Sequence, residues 1–100
     1  MGGELASRLT YPDPFNPSGI DFDLPDDARV TLTILDTAGQ EVTTLIDNVL
    51  YPAGTHHVEV GSAPLAQSVS NGQGIYFYRL SAEYGGKQHV DTKKIILTRP

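Results

Sequence analysis

Cysteine is absent from the 100 residues, which excludes disulfides, thiolate chemistry and cysteine-ligated zinc. Basic residues are scarce: 7 Lys and Arg stand against 12 Asp and Glu, a formal net charge of −5. That balance disfavours a nucleic-acid backbone or an anionic bilayer as partner. No apolar run approaches the ~18 residues of a membrane helix. No window carries a helical stripe, so the helices that a βαβ fold would need between its strands are missing. Internal repeats and low-complexity segments are also absent. Met1-Gly2-Gly3-Glu4 has neither the basic nor the apolar region of a signal peptide and reads as an appended start on a piece of a longer protein. Asn16-Pro17-Ser18 is not a glycosylation acceptor, because proline fills the middle position.

An apolar fraction of 39% remains, enough for one small domain with a core. β-Branched and aromatic residues recur in short runs between Gly, Pro, Asn and Asp clusters, the pattern of a strand meander. Residues 1–8 are expected to precede the domain proper, which spans 9–100. Tyr11 to Pro17 holds three prolines, which suits an extended segment along a sheet edge and no central strand. Ile20, Phe22 and Leu24 alternate with Asp21 and Asp23, a half-buried strand. Val30 to Leu35 is the clearest strand, with Val30, Leu32 and Ile34 on one face. Leu35 extends the threonine face, so that face is expected to be partly covered as well. Asp36 to Gly39 turns into a returning strand at Val42 to Ile46; Tyr51 to Gly54 turns into His56 to Val60. Gly61 to Gly74 reads as a long loop with one helical turn near Pro64 to Gln67. Ile75 to Ala82, a Tyr84-Gly85-Gly86-Lys87 turn and Gln88 to Thr98 complete the count. About seven short strands predict an all-β, immunoglobulin-like antiparallel two-sheet sandwich. Its core is expected to hold Phe22, Leu24, Val30, Leu32, Ile34, Tyr76, Tyr78 and Leu80.

No arrangement of side chains has the spacing of an active site. His56 and His57 are neighbours on a strand and point to opposite faces; His57 and His89 are the pair that adjacent strands could bring together. Exposed strand histidines are the simpler reading, and no metal or cofactor is expected. Asp21, Asp23, Asp26 and Asp27 crowd together, yet no calcium-loop pattern accompanies them, and a solvated outer face with a polar turn accounts for them. No nucleophile elbow surrounds any serine, and Gly72-Gln73-Gly74 precedes no helix. Alternation divides Tyr76, Phe77 and Tyr78 between two faces, which argues for core and rim rather than a ligand platform. Lys93 and Lys94 precede Ile95, Ile96 and Leu97, as lysines protecting an edge strand do; the alternative is an element read by another protein.

Several segments resemble, in order and spacing, one known family. Tyr11-Pro12-Asp13-Pro14-Phe15-Asn16-Pro17-Ser18 resembles the Tyr-Pro-Asn-Pro-Phe-Asn-Pro-Ser opening of the C-terminal sorting domains of the type IX secretion pathway (type A). Ile20, Phe22, Asp23, Leu24 and Pro25 look like the strand that follows there. Val30 through Asp36, with Gly39, Glu41, Val42 and Leu45, look like its hairpin, and Pro52-Ala53-Gly54-Thr55-His56 like its next turn. Gly74-Ile75-Tyr76-Phe77-Tyr78-Arg79-Leu80 resembles its Gly-x-Tyr-Phe-Tyr-Arg-Leu strand. Thr92-Lys93-Lys94-Ile95-Ile96-Leu97 resembles its closing basic-apolar strand. The likeness runs from about Leu9 to Arg99. Asp13 departs from the usual asparagine, Val60-Gly61-Ser62 stands where a Trp-Asp-Gly turn is frequent, and Pro100 extends the end by one residue.

The resemblance implies a non-catalytic address label on an exported bacterial protein. The cargo would lie upstream, pass through the periplasm and reach the cell surface or the medium. The partners would be the outer-membrane secretion machinery and its surface peptidase, meeting a monomer. Recognition would involve Tyr11, Pro12, Pro14, Phe15, Asn16 and Pro17, then Gly74, Tyr76, Tyr78, Arg79 and Leu80, then Lys93, Lys94, Ile95, Ile96 and Leu97. The same sandwich also serves as a spacer in extracellular glycoside hydrolases and flagellar hook-capping proteins. A carbohydrate-binding module, a third reading, requires an exposed aromatic platform.

Overall fold

Alternating apolar and polar residues bury one side of a strand and expose the other, and the described strands follow that rule. A computed structural model describes residues 5–10, 19–59 and 74–97. It contains β1 (Ala6–Thr10), β2 (Gly19–Leu24), β3 (Ala28–Leu35), β4 (Glu41–Tyr51), β5 (Gly54–Glu59), β6 (Gly74–Tyr84) and β7 (Lys87–Leu97). The strands form two antiparallel sheets, β1-β2-β5 and β4-β3-β6-β7. The immunoglobulin-like order places strands one, two and five together and three, six and seven together. The fourth strand here joins the second sheet by pairing with β3. The expected seven-strand sandwich is therefore observed, with no helix among the described residues.

The core lies between the sheets. Ile20, Phe22 and Leu24 of β2 meet Ala28, Val30, Leu32 and Ile34 of β3, Ile46 of β4, Tyr78, Leu80 and Ala82 of β6 and Ile95 of β7. Seven of the eight expected core residues are buried; Tyr76 is half-buried and packs against the cluster. Leu35 and Thr33 are buried on the opposite face of β3, as the extra apolar residue on the threonine face suggested. Arg79 of β6 reaches over β3 to Glu41 of β4 at 3.4 Å on that side.

Two features differ from the sequence reading. The first sheet begins at Ala6, within the segment 1–8 expected to precede the domain: Ala6, Ser7 and Arg8 pair with Asp23, Phe22 and Asp21. β4 also runs on to Tyr51, five residues past the expected Ile46. Between Val30 and Leu32, Leu32 and Thr33, and Ile34 and Leu35 the register slips, β4 contributing one extra residue each time. Asn48 sits at one slip with φ 55°, and its N–H donates to Thr31 Oγ1 at 3.2 Å. Asparagine tolerates this left-handed backbone. Bulges twist an edge strand and blunt its pairing with other chains.

The turns have local causes. In the β3–β4 turn, the Asp36 carboxylate accepts from Ala38 N and Gln40 N, both at 2.9 Å, while Gly39 adopts φ 83°. In the β6–β7 hairpin Gly85 and Gly86 take φ 61° and 74°, the double left-handed geometry of a two-residue turn. The Tyr11 to Pro17 segment, residues 61–73 of the long loop with its helical turn, and Thr98 to Pro100 lie outside the described residues.

Candidate functional site

Two of the family-like segments lie on the two arms of the β6–β7 hairpin and come together as neighbours. Strand β6 carries Gly74, Tyr76, Tyr78, Arg79 and Leu80; strand β7 carries Lys93, Lys94, Ile95, Ile96 and Leu97. They pair residue by residue: Gly74 with Leu97, Ile75 with Ile96, Tyr76 with Ile95, Phe77 with Lys94, Tyr78 with Lys93 and Arg79 with Thr92. Among the described strands β7 is the outermost of its sheet on that side. Tyr78, Leu80 and Ile95 are wholly buried, so in the folded domain they can affect a partner only through the shape of the sheet. Lys94 is exposed, and Arg79 is half-buried on the same outward face. Ile75 and Val90 add exposed apolar area there.

The two lysines have different surroundings. Lys93 Nζ donates to the backbone carbonyl of Ser7 in β1 and lies 3.7 Å from Asp91 Oδ2. The Ser7 hydroxyl donates to Asp91 Oδ2 and is 2.6 Å from the Tyr78 phenol oxygen. With its one proton given to a carboxylate that only accepts, Ser7 Oγ must accept from Tyr78. A chain Tyr78–Ser7–Asp91, with Lys93 beside it, therefore fastens β1 of one sheet to β6 and β7 of the other. This changes the reading of Lys93 as a freely solvated edge charge. The network was invisible in the sequence because Ser7 and Asp91 are 84 residues apart.

The outer face of the first sheet is polar and tightly paired. Across it, Arg8, Asp21 and His57 share one row; Ala6, Asp23 and Thr55 share the next; Thr10, Gly19 and Glu59 share the third. Asp23 accepts from Thr55 Oγ1 at 2.6 Å and from Arg8 Nη1 at 2.9 Å. The Thr55 hydroxyl, then Arg8, hold its carboxyl below the ordinary range. His57 Nδ1 lies 2.5 Å from Asp21 Oδ1, and its Nε2 lies 2.7 Å from Glu59 Oε2. The bond to His57 lowers the Asp21 carboxyl, and the bonds to Asp21 and then Glu59 raise the imidazole. The sequence placed Asp21 and Asp23 together but had no means of bringing His57 to them. The pairing of His57 with His89 does not occur: His57 is in β5, whereas His89 is in β7 and stacks on Tyr84 with ring centres 4.0 Å apart. Among the described residues no group of three His, Asp or Glu side chains is placed to hold a metal ion.

Gly19 is what admits the His57 ring. A Cβ at Gly19 would lie 2.4 Å from His57 Cε1 and 2.7 Å from the Val58 carbonyl oxygen. Gly19→Ala is therefore expected to lose about 1–3 kcal/mol of stability, as overpacking does. Urea denaturation checks this, with His57→Ala as a second background. There the ring clash disappears and the penalty is expected to shrink, but not to vanish, because the Val58 carbonyl is backbone. An equal penalty in both backgrounds would mean that the ring imposes no constraint.

The aromatic residues make no open platform among the described strands. Phe22, Tyr51 and His56 pack on one another at centroid distances of 4.9–5.5 Å at one end of the sandwich. Tyr78 is buried and Tyr76 faces the core. No helix among the described residues is long and apolar enough to cross a membrane. Compared with known protein families, with curated proteins and with solved structures, the chain matches none.

Proposed function

We propose that this domain is a non-catalytic sorting signal of the type IX secretion pathway, directing an upstream cargo from the periplasm across the outer membrane. The observation that carries this reading is the residue-by-residue pairing of the Gly74 to Leu80 segment with the closing 91–97 segment at a sheet edge. The two segments resemble two separate motifs of that family, and their side-by-side arrangement supports a single recognised surface. An outward edge strand also suits a partner that docks by strand or face contact. The cargo is then released, or attached to the cell surface, after a surface peptidase has acted.

The test is a fusion of the whole chain behind a periplasm-directed fluorescent reporter, expressed in a bacterium that has the pathway. The reporter is expected at the cell surface or in the medium; retention in the periplasm would sink the sorting reading and favour a spacer. Lys94→Glu then probes the outward face. It is expected to reduce export without moving the melting temperature, since an exposed charge contributes little to stability. Equal export would remove Lys94 from the recognised surface. Lys93→Glu is the wrong probe, because it would set a carboxylate against Asp91 and break the tie to Ser7.

A further inference from the structure

We propose that His57 is a cationic clasp that fastens the edge strand β5 to β2, so that the three-stranded sheet loosens at this edge when the imidazole loses its proton. The inference is independent of the export role and rests on the geometry of the outer face. Both ring nitrogens sit at hydrogen-bond distance from carboxylate oxygens, Asp21 Oδ1 at 2.5 Å and Glu59 Oε2 at 2.7 Å. Ionised carboxylates only accept, and a neutral imidazole has a single N–H. Both contacts can be hydrogen bonds together only when the ring is the doubly protonated cation. Loss of one proton leaves a ring lone pair facing one of the two carboxylates, a contact that repels, and in either tautomer removes the cation's attraction for Asp21 on β2. Gly19 beneath the ring leaves the space that lets it lie between the two acids.

Among the described residues the groups facing His57 are few. Asp21 reaches it from β2 and Glu59 from its own strand. On the far side of Asp21, β1 supplies Arg8, whose guanidinium is engaged by Asp23, and Thr10, which also bonds the Asp21 carboxyl. The cation thus faces two anions, and the competing arginine is turned to the adjacent row. The sign of the pH dependence follows. His57 is raised from an ordinary 6.5, so its contribution is complete below that pH and is lost as pH climbs through the raised midpoint. Asp21 is lowered from an ordinary 3.8, so its contribution is complete above that pH and is lost as pH falls through the depressed midpoint. The clasp is complete between these limits and is weakened on the alkaline side by loss of a single proton.

The experiment uses the full chain. Proton and nitrogen NMR titration of the histidine rings, with His57 identified by loss of its signal in His57→Gln, reads the protonation state directly. Expected are a midpoint above 6.5, both ring nitrogens protonated below it, and a lower midpoint in Asp21→Asn and in Glu59→Gln. Amide exchange in β5, taken relative to β3 so that the general effect of pH cancels, is expected to rise across that midpoint in the wild type. In His57→Gln the relative exchange is expected to be flat with pH. A wild-type midpoint at or below 6.5, or the same relative profile in wild type and His57→Gln, overturns the clasp.

Discussion

Phe22→Ala is expected to cost about 3–5 kcal/mol, the range for removing a buried aromatic ring. Phe22 has no exposed surface and forms the floor of an aromatic corner, with Tyr51 at 5.5 Å in an edge-on arrangement and His56 at 5.4 Å. Tyr51 closes the corner from β4 and His56 from β5, the two strands joined by the turn at Pro52 to Gly54. The ring therefore ties the two sheets together where the chain passes from one to the other. The turn is pinned separately, by Ala53 N donating to Asp27 Oδ1 at 2.9 Å and by His56 Nε2 donating to the Pro52 carbonyl at 2.6 Å. A domain of this size commonly has only about 5–15 kcal/mol of stability, so Phe22→Ala is expected to leave it marginal. Urea denaturation followed by tyrosine fluorescence checks this. A midpoint within error of the wild type, with an unchanged slope, would show that the corner repacks around the loss. Phe22→Leu, which retains much of the buried area, is expected to lose less.

Ile95→Ala is expected to lose about 2–5 kcal/mol, whereas Lys94→Glu, one residue away, is expected to stay within about 0.5 kcal/mol of the wild type. The difference comes from the pleat. Ile95 faces the core with no exposed area, opposite Tyr76, while Lys94 faces water opposite Phe77. The closing segment therefore combines a structural face and an outward face in one strand. Any export assay on this segment needs thermal melts beside it, since Ile95→Ala lowers the stability of the domain whatever its role in recognition. If Ile95→Ala melts like the wild type, β7 is not anchored through its inward face and the sandwich closes by other means.

Six of the seven strands, β2 to β7, were legible because the period-2 pattern is local: Ile20-Asp21-Phe22-Asp23-Leu24 and Val30 to Leu35 announce both strand and face. The glycine-rich turn at Gly85-Gly86 was legible for the same reason, since its conformation is set by neighbouring residues alone. The extension of β4 to Tyr51 was not, because Asp47-Asn48 looks like a turn and becomes a bulge only when β3 offers it a partner. Membership of β1 in the sheet was also hidden: Ala6 to Thr10 is too short and mixed to read as a strand until β2 lies beside it.

The sequence by itself determined an all-β chain, the inward faces of β2, β3 and β6, and the polar character of the Asp21-Asp23 face. Beyond the β3–β4 and β6–β7 hairpins, only the tertiary structure decided which strands became neighbours. It set His57 between Asp21 and Glu59, fastened Lys93 to Ser7 across the sheets and left Lys94 facing outward. The physical reason is one of range: backbone geometry and burial pattern act over a few adjacent residues, whereas strand order and register bring together groups 36 residues apart in the His57–Asp21 pair and 86 apart in the Lys93–Ser7 tie.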